Sequence, residues 1–231
     1  MLFCVFDSST AYAQNRFKNV EIRVIRPKFF AKRKKFELGA EITGVMNETF
    51  IYTFLATGLA TYHFSETWAL EGAAGFGQSI DKEDKRTLLD QFNIKTKIFR
   101  TSYLYWASLA WTPAYGKWQL PDGDLIYFDT FINAGVGQTA LEWRYSEFCE
   151  TPDELNPDAV AIPADTTIAY PTFIGGLGQR YFTSRRTTIR WDIRYHFISY
   201  STADTECEPV EDAGTDIHPN ITFSIGMSRF L

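Results

Sequence analysis

Residues 187–200 read TTIRWDIRYHFISY, and the two faces of this stretch ask for different solvents. Successive side chains of a strand point to opposite sides. Ile189, Trp191, Ile193, Tyr195 and Phe197 therefore share one face, and Arg190, Asp192, Arg194 and His196 share the other. A soluble sandwich strand reads this way, with its apolar face in a core. A membrane barrel strand reads this way too, with aromatics toward lipid and charges toward a polar lumen.

Composition narrows the choice. The chain has 231 residues, enough for one domain and one core. Aromatic residues make up 16% of it, yet the mean hydropathy is only -0.20. No apolar run approaches the roughly 20 residues of a membrane-spanning helix, so any crossing must be made by strands.

Working outward, the same alternation recurs in segments of about ten residues separated by turn signals, the pattern of a barrel. In Phe36–Val45, Phe36, Leu38, Ala40 and Ile42 oppose Glu37, Glu41 and Thr43. In Tyr52–Phe64, the aromatics and small residues oppose Thr53, Thr57, Thr61 and His63. Trp68–Gln78 sets Trp68, Leu70, Ala74 and Phe76 against Glu71. Phe99–Trp111 sets Phe99, Tyr103, Tyr105, Leu109 and Trp111 against Arg100, Ser102 and Ser108. Leu125–Gln138 turns Asp129 and Asn133 away from Phe128, Ile132, Ala134 and Val136. Tyr170–Phe182 carries Gly175, Gly176 and Gly178, which suit close packing in a narrow interior. With Thr187–Tyr200 and Ile221–Leu231 the sum is eight, and an even number puts both ends on one side. The expectation is an all-β, eight-stranded antiparallel up-and-down transmembrane β-barrel over residues 36–231.

Connections alternate in length, which sets the topology. Those at Ser65, Thr112–Asp124 and Ser184 are the shorter ones, and those at Ile80–Lys97, Ala140–Ala169 and Thr202–Asp216 are mostly longer. Short turns on one rim and long loops on the other is the outer-membrane arrangement, with the first hairpin, around Met46 to Thr49, as an exception. The two last loops are acidic: Glu147, Glu150, Asp153, Glu154, Asp158 and Asp165, then Asp204, Glu206, Glu208, Glu211, Asp212 and Asp216.

At the start, the apolar run MLFCVF and Ala11-Tyr12-Ala13 resemble a secretory signal over residues 1–13, although its basic n-region is missing. Removing that segment takes Cys4 with it and leaves Cys149 and Cys207, an even pair in an exported chain, which suggests one disulfide between neighbouring external loops. Residues 14–35 are basic, with Glu21 as the lone acid. They read as a solvated periplasmic arm; the sharper alternative is contact with an anionic partner such as lipid headgroups or cell wall. Nucleic acid is excluded by export and by the lack of an aromatic-interleaved basic motif.

The spans PAYGKW and LIYFDTFINAGVGQ, then GLGQRYFTSRRTTIRWDIRYHF and the ending NITFSIGMSRFL, resemble the outer-membrane β-barrel domain family common in myxobacteria and related predatory or delta-type bacteria. The resemblance covers most of residues 28–231. It implies location and architecture, with some similar barrels in envelope complexes linked to gliding, and no shared activity. The chain departs from the usual barrel ending by placing Phe230 next to last, while Leu231 keeps the phase of Phe223, Ile225 and Met227.

Ten charged or titratable residues are expected to point inward as a lumen charge network: Glu37, Glu41, Glu71, Arg100, Asp129, Arg180, Arg190, Asp192, Arg194 and His196. An eight-stranded lumen is just wide enough for side chains to fill, so these charges must pair and close it. A narrow ion path is the alternative. Catalysis is not expected: His63, His196 and His218 are scattered with no nucleophile motif nearby, and Cys149, Cys207 and His218 match no zinc spacing. No cofactor is expected. The functional reading is an outer-membrane protein with a structural or interaction role in the cell envelope, meeting outer-membrane lipid and lipopolysaccharide; a small porin-like channel is the second reading. A lipocalin-like soluble binder would wear the reverse dressing, apolar inside and polar outside.

Overall fold

The alternation carries straight into the backbone. In β2 (Ile51–His63) every odd-numbered residue is buried and every even-numbered one is exposed. The computed structural model describes residues 30–92, 94–119, 121, 125–149, 163–207 and 214–231. Among these, β1 (Lys35–Val45), β2, β3 (Trp68–Asp81), β4 (Arg100–Gln119), β5 (Leu125–Trp143), β6 (Thr166–Phe182), β7 (Thr187–Ser201) and β8 (Thr215–Phe230) each pair antiparallel with the next. β8 returns to β1, with Glu37 opposite Phe230 and Ile42 opposite Ile225, and the sheet closes as an eight-stranded up-and-down barrel. Closure removes every sheet edge within the paired region. Residues 1–13 and 14–29 lie outside the described residues, as do residues 150–162 and 208–213 with most of the acidic loop residues.

Several strands run longer than their sequence pattern, and proline explains why. β4 continues through Pro113 to Gln119, β6 begins four residues before Tyr170, and β8 begins at Thr215, ahead of Pro219. A proline cannot donate to a ladder, so it reads as a strand end. Each of these sits where its strand has outrun one neighbour. β3 pairs with β4 only as far as Trp68 opposite Trp111, β7 meets β6 only from Thr172 onward, and β1 meets β8 only as far as Thr222. The free edge of β8 is completed by Asn47 of the first hairpin, whose Nδ2 donates to the Pro219 carbonyl at 2.6 Å and whose Oδ1 accepts from the Ile221 N–H at 2.9 Å. The expected third connection contains a helix, α1 (Glu83–Phe92), and the fifth strand leads into a single helical turn, α2 (Tyr145–Phe148).

Candidate functional site

The two faces of β7 are disposed as its sequence asks. Thr188, Arg190, Asp192, Arg194, His196 and Ile198 are buried inside the barrel, while Tyr195 and Phe197 face out, 46% and 44% exposed. Around the wall the exterior is apolar: Phe36, Ile42, Phe76, Val136, Phe173, Ile225 and Met227 are all more than half exposed. Aromatic groups ring the short-turn rim, with Phe36 against Tyr62 at 4.7 Å, Trp68 against Trp111 at 6.1 Å, and Trp118 against Phe128 at 5.0 Å. A continuous apolar belt of this extent would be a liability in water and is the ordinary surface of a chain solvated by hydrocarbon. Ions within, grease and an aromatic girdle without, and short turns at the rim holding both strand termini are the dressing of one environment. The barrel belongs in a bacterial outer membrane.

The lumen of this outer-membrane barrel is filled in layers, read upward from the short-turn rim. At the bottom, Phe30, Phe182 and Phe230 form a small aromatic core, Phe30 lying 4.6 Å from Phe230. Lys32 reaches past it into the barrel, and its ammonium donates to Asp129 Oδ2 at 2.6 Å. The chain is held there by backbone bonds from the Arg33 N–H to Glu66 Oε1 at 3.1 Å and from the Lys34 N–H to the His63 carbonyl at 2.6 Å. Lys34 turns the chain into β1 with a positive φ of 60°. Beside Lys32, Arg180 lies 3.3 Å from Glu37 and 3.8 Å from Asp129, and His63 Nε2 is 2.7 Å from the other oxygen of Glu37. Ser228 completes the Glu37 shell by donating to its Oε1.

The second layer is denser. Arg190 pairs with Glu41 at 2.8 Å, Glu71 at 2.7 Å and Asp192 at 3.3 Å; Arg194 pairs with the same three acids at 3.4, 3.3 and 2.8 Å. The Phe131 ring separates the layers, with the Arg180 and Arg190 guanidiniums 5.3 and 4.8 Å from its centroid. Room for it comes from β6: a Cβ on Gly178 would stand 2.6 Å from Phe131 Cζ and from Asp192 Cβ. Arg194 covers the Trp106 ring at 4.9 Å, and His196 meets the same ring edge-on while Nε2 lies 3.2 Å from Thr222 Oγ1. Leu55, Leu59, Leu104 and Ile174 then seal the section. Isolated, such charges would cost several kcal/mol each to bury; shared between two guanidiniums and three carboxylates they hold one another.

The long-loop end has its own cap. Leu141, Trp143, Tyr145, Cys149, Tyr170 and Ile198 pack together, and Cys149 is bonded to Cys207 with their Cα atoms 5.7 Å apart. Trp143 Nε1 donates to the Tyr170 hydroxyl at 2.9 Å, which in turn donates to Asp204 at 2.8 Å. With the two sulfurs joined, neither is open to a metal.

Two sequence expectations are corrected here. Arg100 is not in the lumen network with the other residues; it donates to Asp81 at 2.5 Å and to Glu147 at 3.1 Å at the long-loop rim, where Lys85 of α1 joins both acids. The reason is its place at the very start of β4, opposite Glu142 at the long-loop end and eight residues along the strand from Ser108, which faces Glu71 of the second layer. Burial works to raise Glu147, yet the hydrogen bonds from Lys85 and Arg100 prevail and hold its carboxyl below the ordinary range. Phe99 is not a lipid-facing strand residue either: it stacks on His218 at 4.0 Å and packs against the cap. A register shift between Thr101 and Tyr103 breaks the alternation at this point, so Arg100 and Thr101 are both buried.

The sequence pattern misses Lys32 as a lumen residue, and it puts His63 on the inner face without its partner. Lys32 hides in a run of cations that reads as a solvated arm, and His63 ends a strand of threonines with nothing beside it in sequence to mark Glu37 as its partner. The three histidines sit apart: His63 on Glu37, His196 on Thr222, His218 on Phe99.

No family model matches the chain, and no curated protein matches it. Among solved structures it is similar to the N-terminal β-barrel domain of Pseudomonas aeruginosa OprF, at 8% identity over 86% of this chain and 98% of that one, with a TM-score of 0.49. It is also similar to the outer membrane protein OprG of Pseudomonas aeruginosa, at 14% identity over 87% of this chain and 97% of that one, with a TM-score of 0.49. A third likeness is Neisserial surface protein A, at 10% identity over 84% and 96%, with a TM-score of 0.47. Likenesses this distant decide nothing, and the membrane assignment rests on the barrel's own two faces.

Proposed function

We propose that this outer-membrane barrel is a closed, non-enzymatic scaffold with a structural or interaction role in the cell envelope. The observation that carries the reading is the lumen itself. Arg180, Arg190, Arg194, Glu37, Glu71 and Phe131 are among its least exposed side chains, and aromatic plugs stand at both mouths. Water and ions passing through would have to break several buried ion pairs in succession, so the interior acts as a strut that locks strand to strand. What remains for function is the two rims: the disulfide-stapled cap of the long-loop side, facing lipopolysaccharide, and the basic stretch of residues 14–29, ahead of Phe30, on the periplasmic side, available to cell wall or an acidic partner.

Single-channel recording on the purified chain in planar bilayers tests it. Silence is expected; a steady conductance would replace the scaffold with the small channel. Crosslinking in envelopes with and without residues 14–29 then tests the arm, whose removal should abolish capture of a periplasmic partner.

A further inference from the structure

At the short-turn rim three exposed guanidiniums, one on the outer wall and two in a turn, pair with no acid among the described residues. Arg229 stands on the lipid-facing side of β8, directly opposite Leu38 of β1 and Thr187 of β7. Arg186 lies one register position further along, its carbonyl accepting from the Phe230 N–H at 2.7 Å, and Arg185 precedes it in the same exposed turn. Glu66, an acid of that rim, is already occupied by backbone N–H groups of Lys32 and Arg33.

Beside Arg229 the wall carries a shallow, open depression. Where β1 meets β8, the backbone of Gly39 and the methyl of Ala40 form the floor of a groove of about 470 Å³, with Leu38 and Met227 as its sides and Arg229 at its lower end. Small residues between large ones leave an open, lipid-facing strip that ends on a cation at the short-turn rim.

We propose that this groove is a binding site for an anionic phospholipid of the periplasm-facing leaflet, its acyl chain lying over Gly39 and Ala40 and its phosphate held by Arg229 and Arg186. The proposal rests on the membrane reading above and adds to it a particular lipid at a particular place. A guanidinium on a lipid-facing wall extends toward phosphate oxygens at the interface, and its planar fork suits two of them at once. A zwitterionic headgroup brings a cation of its own beside these arginines, so charge selects against it.

The test uses the full chain in mixed-lipid nanodiscs of phosphatidylcholine and phosphatidylglycerol, extracted into mild detergent and read by native mass spectrometry for retained lipid. Phosphatidylglycerol is expected to be retained in preference. The double variant Arg186→Gln/Arg229→Gln should bind it roughly thirty-fold more weakly, at about five-fold for each surface charge. Ala40→Phe fills the groove from the lipid side, where the fold has open space, and should also lose the lipid while both charges stay. Equal retention of the two lipids, or wild-type retention by both variants, would overturn the site. A chain that enters no bilayer overturns the membrane reading as well, and that outcome is separately visible as protein left outside the discs.

Discussion

The second ion layer holds one more acid than base, and that imbalance predicts which substitution it tolerates. Glu41, Glu71 and Asp192 face Arg190 and Arg194, so three negative charges meet two positive ones. Replacing Arg190 with Met, an unbranched neutral side chain, leaves three carboxylates around Arg194 alone. Breaking a buried pair by removing one partner costs about 3–5 kcal/mol, because the other partner stays buried and uncompensated. Asp192→Asn should behave differently. Oδ2 of Asp192 accepts from both arginines, at 3.3 and 2.8 Å, while Oδ1 is buried with no partner. An amide can keep its oxygen on both guanidiniums and place its NH2 where the unbonded oxygen stood, which brings the layer to neutrality. The loss is confined to the charge-assisted part of two hydrogen bonds, about 1 kcal/mol or less after the gain in balance. Urea unfolding of the barrel in lipid vesicles, followed by tryptophan fluorescence, reads both variants against the wild type. A cost for Asp192→Asn equal to that of Arg190→Met would refute the charge count.

Three further outcomes follow from other parts of the barrel. Gly178→Ala should cost about 1–3 kcal/mol by overpacking against Phe131 and Asp192, whereas Gly175→Ala, with nothing within 4 Å of the new methyl, should be near neutral in the same unfolding assay. Opening the Cys149–Cys207 bridge, which spans 58 residues, releases loop entropy worth at most about 4 kcal/mol; Cys149→Ser/Cys207→Ser should speed trypsin cleavage after Arg144 while circular dichroism keeps its strand signal. Glu48, in the first hairpin, has its carboxyl pushed by burial from 4.5 up to about 7, so the folded chain keeps a proton that the unfolded chain has already released. Stability should therefore fall as pH rises through that window and level off above it, and Glu48→Gln should flatten the slope; an unchanged slope in the variant would assign it elsewhere.

Much of this architecture is legible in the order of residues. The period-two alternation in β2 and β7 decides which side chains share a face, because a strand has no other way to dispose them. The even strand count and the alternation of short and long connections follow from that. Strand ends are less legible: Pro113, Pro171 and Pro219 look like stops, and only pairing shows that each stands where a neighbour has already ended.

The sequence by itself determined that nearly every charged residue of β1, β3, β5, β6 and β7 would share an interior, since each alternates with residues that lipid accepts. What only the tertiary structure decided is who meets whom. Arg190 and Glu71 are 119 residues apart and Lys32 and Asp129 are 97, and such pairings depend on the tilt and stagger with which the sheet closes. The same closure left Arg100 with Asp81 and Glu147 at the long-loop end and drew Lys32 from its cationic run into the lumen, because inside a sealed barrel a charge goes where its counter-charge is.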